Sequence, residues 1–170
     1  MRLNLALSAA LATCIAACSM GAADGPKQLI GKDAPDFKLA LLSGGEVELS
    51  KLEGKNVVLL DFWATWCGPC RQVMPALLEV SNEYKSKGVR YLAVNLREDK
   101  DKINSYLKSA KLDIEVPLDK EGEIAKLYHV SGIPTMAIVD KKGIVREVHV
   151  GASANIKDDL KKALDKILAE

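Results

Sequence analysis

The sequence has almost no net charge. Its 170 residues include 24 lysines and arginines against 23 aspartates and glutamates, so the formal net charge is +1. Removal of Arg2 with the leader described below leaves 23 of each sign. Nucleic-acid binding needs a clustered basic excess, and electrostatic steering needs a field of one sign. The composition therefore predicts no nucleic-acid partner and no long-range attraction of a charged one.

Histidine is scarce, and the motifs that hold metals are missing. The body of the chain has His129 and His149, twenty residues apart, and two cysteines, Cys67 and Cys70. A structural zinc site uses four ligands with characteristic close spacings, which this set does not offer. Covalent haem attachment needs a histidine directly after the second cysteine, where the chain has Arg71. We therefore expect no metal and no cofactor besides a redox-active cysteine pair.

Cysteines that could staple the fold are also missing. Of the four, Cys14 and Cys18 lie in the N-terminal apolar segment, and Cys67 and Cys70 would close only a very short loop. Closing so short a loop removes little entropy from the unfolded chain, so stability is a poor reason for that bond. A chain of this length can bury a sufficient core in one domain. The pair predicts thiol chemistry.

The N-terminal segment has the pattern of an export signal. A short positive start is followed by a mostly apolar run over residues 3–17, which is too short to cross a bilayer comfortably. The end of the run, Ile15-Ala16-Ala17-Cys18, resembles the bacterial lipobox, in which the cysteine is lipidated and becomes the mature N-terminus. We predict a signal peptide over residues 1–17, lipidation of Cys18 and a tether over residues 18–28.

This leader predicts a location in the bacterial cell envelope, as a lipoprotein that faces the periplasm. Ser19 after the cysteine favours the outer membrane if enteric-type sorting applies. The alternative is ordinary cleavage after Ala23, which would leave a soluble periplasmic protein.

Residues 29–170 are predicted to form one α/β domain with a central mixed β-sheet flanked by helices. Alternating or continuous apolar stretches predict the strands, and apolar residues at helical spacing predict the helices. The expected strands cover residues 37–41 and 47–49, paired as an N-terminal hairpin, then 57–63, 89–96, 114–118, 135–139 and 144–150. The expected helices cover residues 67–88, 103–110, 122–128 and 156–168.

Three details of this prediction can be tested directly. Pro75 lies inside the first helix and is expected to kink it. Ile124, Leu127 and Tyr128 are expected to point inward from the third helix. The charged run over residues 97–102 is interpreted as a solvated loop and a first helical turn.

Cys67 and Cys70 lie where the strand over residues 57–63 gives way to a helix. A thiolate is the reactive form of cysteine, and the N-terminal end of a helix stabilises it. Cys70 lies one turn further along on the same side of the helix, close enough to bond and more shielded. Cys67 is therefore expected to attack a partner's disulfide, and Cys70 to resolve the mixed disulfide.

Two neighbours of the cysteines stand out. Asp61 lies within the buried strand, where an unpaired carboxylate is costly, so it should be protonated or partnered and have a raised pKa. Such a group can exchange a proton with Cys70. The alternative is that Asp61 caps a nearby group or points into solvent at the strand end. Trp66 is interpreted as part of a docking surface beside the cysteines, and Trp63 as core.

These residues together resemble the thioredoxin superfamily. The resemblance rests on Asp61-Phe62-Trp63-Ala64-Thr65-Trp66-Cys67-Gly68-Pro69-Cys70, on Pro75 and on Ile133-Pro134-Thr135 before a strand. Residues 31–37 and an extra helix and strand between Asp99 and Leu118 are similar to the TlpA/ResA branch, exported thiol-disulfide oxidoreductases of the AhpC/TSA/Redoxin type. The similarity extends over residues 29–168.

The resemblance implies a thioredoxin-like fold and a role for each matching residue. Pro134 would be a cis-proline that faces the disulfide, Ile133 would offer its backbone to an extended partner segment, and Asp61 would match the buried acid of thioredoxin. Trp66, Gly68, Pro69 and Ile133 would contact the partner. Two positions depart from the family: residues 92–95 provide no lysine for the buried acid, and Val73 replaces the glutamate of ResA-like members.

The predicted function is dithiol-disulfide exchange, with Cys67 as nucleophile and Cys70 as resolving thiol. Cys-Gly-Pro-Cys favours a reductant of disulfides in exported proteins, serving cytochrome c maturation or envelope redox homeostasis, and supplied with electrons by a membrane donor. The protein is expected to act as a monomer. One alternative is a non-catalytic metal-handling or chaperone module using the same thiols. A peroxiredoxin-like peroxidase is disfavoured, because that pattern needs a threonine three residues before the reactive cysteine, and Thr65 lies two before Cys67.

Overall fold

A computed structural model describes residues 25–170 of the chain. The predicted signal peptide, Cys18 and the alternative cleavage site after Ala23 lie outside the described residues. The strands are β1 (Lys38–Ala40), β2 (Glu46–Glu48), β3 (Val57–Trp63), β4 (Val89–Leu96), β5 (Leu118–Asp119), β6 (Thr135–Val139) and β7 (Val145–Val150). The α-helices are α1 (Gly68–Tyr84), α2 (Lys100–Ala110), α3 (Glu123–Leu127) and α4 (Ile156–Leu168).

The central sheet is mixed, as predicted, and has the strand order β5-β4-β3-β6-β7. The strands β3, β4 and β5 are parallel, whereas β6 and β7 pair antiparallel with their neighbours. Every residue of β3 is buried, which explains its nearly continuous apolar sequence. The direction of the strands brings the end of β3 and the start of β6 to the same edge of the sheet.

Alternation along β3 divides the core into two layers. Leu59 and Trp63 pack with α1 and α4 on one face of the sheet. Leu60 and Phe62 pack on the other face with the N-terminal hairpin and the residues around α3. Asp61 is in step with Leu59 and Trp63, because side chains two apart on a strand share a face. Its carboxyl group therefore points into the layer that contains the two cysteines.

The N-terminal hairpin is confirmed: β1 and β2 pair antiparallel, with Leu39 opposite Val47. The hydroxyl of Tyr128 donates to the carbonyl of Pro35 and holds the segment before β1 against the sheet layer. Regular structure also begins earlier in the chain than predicted. Pro26–Leu29 form one turn of 3₁₀ helix with Pro26 and Leu29 buried, so the last residues of the predicted tether pack on the domain.

Several predicted details differ from the structure. Leu127 is 50% exposed, so its inward placement is wrong. The helix α3 turns Ala125 inward, and a residue two positions later points away from that side. The strand predicted over residues 114–118 is reduced to β5 and isolated bridges. Helix α1 continues through Pro75, which is exposed, and the kink expected there stays a prediction.

Candidate functional site

The two cysteines lie at the junction of β3 and α1. Cys67 is the N-cap residue of α1, and Pro69 occupies the first turn, where a missing N–H costs nothing. Cys67 and Cys70 form a disulfide with their Cα atoms 5.3 Å apart. The backbone N–H of Cys70 points at the sulfur of Cys67 over 3.2 Å. The first turn of α1 contains no acidic residue, so nothing there offsets the positive end of the helix dipole.

Both cysteines are largely buried, and they differ in what surrounds them. Cys67 is 4% exposed and Cys70 is fully buried. Gly68 and Pro69 between them are exposed, so a partner can approach the Cys67 side of the disulfide. This difference in access fits an attacking residue and a shielded one.

The loop before β6 faces the disulfide. The peptide bond between Ile133 and Pro134 is cis, the geometry that the resemblance implies. The carbonyl oxygen of Ile133 lies 3.7 Å from the sulfur of Cys67. The loop is held from both sides, because Gly151 donates its N–H to the carbonyl of Pro134 and the Thr135 hydroxyl donates to the carbonyl of Gly132.

A groove of about 660 Å³ lies between Trp66 and the Ile133 loop, next to the cysteine pair. Trp66 is 66% exposed, whereas Trp63 is buried and donates its indole N–H to a backbone carbonyl of β4. This contrast agrees with the expected division into a surface and a core tryptophan. The groove is mainly apolar, and Arg97, Lys126 and His129 also line it. We call it the Trp66 groove.

Asp61 is fully buried, and burial raises its pKa to about 7. The hydroxyl of Tyr91 on β4 donates to Oδ2 over 3.1 Å, which lowers the pKa but does not offset burial. Oδ1 has no hydrogen-bond partner among the described residues. The raised pKa agrees with the expectation for a carboxyl group in a buried strand. Tyr91 was not anticipated, because only the folded register brings it beside Asp61.

Glu98 corrects the interpretation of residues 97–102 as solvated. Its side chain is buried and accepts both the backbone N–H and the hydroxyl of Thr65, each over 2.6 Å. It also accepts from the side chains of Asn95 and Lys102. Burial on its own raises the pKa of Glu98, but the bonds from Lys102, Thr65 and Asn95 outweigh burial and lower it.

Glu98 thus joins the loop after β4 to the segment that leads into Cys67. The sequence held one signal for the place of Glu98 in the site: it follows a parallel strand and so lies at the same edge of the sheet as the cysteines. The surrounding charges concealed it, because Asp99, Lys100 and Asp101 are indeed exposed.

Within residues 25–170, no group of three histidine, cysteine or acidic side chains could hold a metal ion. No helix in that same part of the chain is long and apolar enough to cross a membrane.

Known proteins resemble this chain over most of its length. The AhpC/TSA family matches residues 30–148. A thiol-disulfide oxidoreductase ResA of Bacillus cereus is 39% identical over 145 residues, which make up 85% of this chain and 82% of the relative. The thioredoxin-like protein YneN of Bacillus subtilis is 38% identical over 138 residues, 79% of this chain and 78% of that one.

A solved structure of a related protein is also similar to this chain. It is described as a candidate thiol:disulfide interchange protein DsbE from Chlorobium tepidum, and it aligns with a TM-score of 0.76 at 37% identity, over 82% of this chain and 97% of its own. Together with the cysteine pair at the start of α1, these matches show that the chain belongs to the AhpC/TSA family and is a thiol-disulfide oxidoreductase with a thioredoxin-like fold.

Proposed function

We propose that the protein reduces disulfides in exported proteins, with Cys67 as the attacking thiolate and Cys70 as the resolving thiol. The observation that carries this proposal is the placement of the pair: Cys67 caps the start of α1 beside the exposed Gly68 and Pro69, and Cys70 lies fully buried one turn further in. A helix N-terminus favours the thiolate of the residue that caps it. The buried thiol is protected from partners and can react only with its neighbour.

The exchange takes two displacements. The Cys67 thiolate attacks one sulfur of the partner's disulfide, that bond breaks, and the departing partner thiolate takes a proton from solvent. Cys70 then loses its proton and attacks the sulfur of Cys67, the mixed disulfide breaks, and the second partner thiolate is released and takes a proton from solvent. The partner gains two electrons and two protons, and Cys67 and Cys70 become the disulfide present in the structure.

Asp61 is proposed to take the proton of Cys70 before the second displacement. Its carboxyl group shares a core layer with Cys70, and its pKa of about 7 suits proton exchange near neutral pH. Oδ1, which has no partner in the described part of the chain, is the atom available to accept that proton.

The partner is proposed to lie along the Trp66 groove as an extended segment. The Ile133 carbonyl, 3.7 Å from the Cys67 sulfur, offers a backbone acceptor beside the bond that must form. Trp66 provides an apolar surface, and Gly68 and Pro69 keep the approach to Cys67 free of long side chains. Pro134 fixes the direction in which Ile133 is presented.

The leader supports a place for this activity in the cell envelope. We propose cleavage before Cys18, lipidation of that cysteine, and an orientation toward the periplasm, with outer-membrane sorting favoured by Ser19. A membrane donor would then restore the dithiol after each turnover. Apo-cytochrome c and oxidised envelope proteins are the partner classes that this location suggests.

The test is a reductase assay on insulin with wild type, Cys67→Ser and Cys70→Ser, together with the reduction potential of the pair. We expect Cys67→Ser to be inactive and Cys70→Ser to accumulate a mixed disulfide through Cys67. A potential near about −270 mV supports a reductant, and one near about −120 mV contradicts it. Full activity in Cys67→Ser would rule out the proposed nucleophile.

A further inference from the structure

We propose that Tyr91 is the positioning residue for Asp61: its hydroxyl holds Oδ2, leaves Oδ1 free to accept the proton of Cys70, and sets the pH range in which Asp61 can do so. Residues 92–95 provide no lysine for the buried acid, and Tyr91 is the residue that contacts it. This inference rests on the proposed proton transfer from Cys70 to Asp61.

The geometry of the sheet makes the contact specific. Tyr91 is paired with Leu59 on β3, two residues before Asp61, so both side chains enter the same core layer. The residues directly beside Asp61 are Ala93 on β4 and Met136 on β6, and neither can donate a hydrogen bond from its side chain. Tyr91 reaches Asp61 from the diagonal position, over 3.1 Å.

Tyr91 also remains a donor throughout the working range of the site. Burial, together with the charge of Asp61, raises the pKa of the Tyr91 hydroxyl well above its ordinary value. The phenol therefore stays protonated while Asp61 titrates. A donor that does not ionise favours the carboxylate form of Asp61 over the neutral acid. The carboxylate is the form needed to accept a proton.

Among the described residues, Tyr91 is the one side chain that hydrogen-bonds to Asp61. Burial and this hydrogen bond are the causes of the pKa shift of Asp61, and no lysine or arginine contributes to it. On β7, His149 stands in the same cross-strand row as Asp61, but Met136 lies between them. Further ionisable side chains in this layer are Cys67, Cys70, Tyr84 and, at its margin, Tyr106.

The hydroxyl of Tyr84 offers a matched control. It donates to the carboxylate of Asp165 over 2.8 Å, so Tyr84→Phe removes the same atom from the same residue type in the same core layer. The Asp165 carboxylate lies away from the cysteines, at the contact between α1 and α4. Tyr84→Phe therefore controls for the general effect of losing a buried phenol.

The experiment follows the Asp61 carboxyl carbon by NMR as a function of pH in the oxidised protein. Tyr91→Phe should raise the titration midpoint of Asp61 by about one pH unit, since a hydrogen bond to a charged group is lost. Tyr84→Phe should leave that midpoint unchanged. Difluorotyrosine at position 91 has a more acidic hydroxyl and should shift the midpoint in the opposite direction, a result that loss of packing cannot give.

The same variants are then compared in the rate at which Cys70 releases a trapped partner. The acid limb of that pH profile should move upward in Tyr91→Phe by the same amount as the Asp61 midpoint. An Asp61 midpoint unchanged in Tyr91→Phe would overturn the role of Tyr91. An acid limb that persists in Asp61→Asn would instead contradict the proton transfer on which this inference rests.

Discussion

Asp61 places an ionisable group in the interior, and this should reduce stability at neutral and alkaline pH. Its pKa in the folded protein is about 7, against an ordinary value of 3.8. Between these values the folded state binds a proton that the unfolded state has released. The free energy of unfolding is therefore highest at pH values below the ordinary pKa of 3.8, and it falls as the pH rises toward the folded-state pKa of about 7.

Asp61→Asn should abolish most of that pH dependence. Asparagine keeps an acceptor for the Tyr91 hydroxyl but cannot ionise. Near about pH 8 the variant should be more stable than wild type by about 4 kcal/mol or less, and near about pH 4 the two should be similar. Urea unfolding at both pH values measures the difference, with the exposed Asp113→Asn as control. A variant less stable than wild type at the higher pH would contradict the cost assigned to Asp61.

The loop before α1 depends on a contact between elements that are far apart in the chain. Glu98, at the end of β4, accepts the backbone N–H and the hydroxyl of Thr65, just before the cysteines. Both residues are buried, so the two donors of Thr65 have little access to bulk water. The start of α1 is thereby held to the start of α2 through one carboxylate.

Glu98→Ala should cost about 2 to 5 kcal/mol of stability, because it leaves buried donors of Thr65 and Asn95 without acceptors. Lys102→Ala is the matched control. It removes a partner of the same carboxylate, but Lys102 is 57% exposed, so the expected cost is about 1 kcal/mol or less. Urea unfolding of both variants decides, and equal costs would show that Glu98 does not hold the loop.

The elements with strong sequence patterns were predictable, and the contacts between them were not. Continuous apolar sequence identified β3, and the helical spacing from Ile156 to Leu168 matched α4. Tyr91 and Glu98 could not be assigned to the site, because the residues they bind lie thirty or more positions away. The prediction for Leu127 was wrong for a local reason. A five-residue helix has too few residues to show which of its sides points inward.

At the scale of the whole molecule, the packed turn before β1 begins at Pro26, a residue that the sequence assigned to the tether and that is buried together with Leu29, the first residue of the predicted domain. Leu29 is buried, whereas its neighbour Ile30 is 44% exposed. Leu29→Ala should cost about 2 kcal/mol or more, and Ile30→Ala clearly less, because only the first leaves a cavity in packed surroundings. Urea unfolding of the two variants tests whether this turn packs on the domain, and similar small costs would show that residues 26–29 contribute little to its core.

The turn that contains Leu29 sets the place where the predicted tether joins the domain. Gly31 and Lys32, just after it, bond to Val145 at the start of β7, whereas Gly151 after the end of β7 bonds beside Pro134 and the disulfide. The strand between separates these two ends by about 17 Å. If Cys18 carries a lipid, residues 18–24 can add at most about 25 Å to the length of the tether. The tether then joins the domain at the end opposite the Cys67 sulfur. Partners that arrive from the aqueous compartment therefore meet Cys67 first. A donor within the bilayer must extend a domain of its own around the protein to reach Cys67.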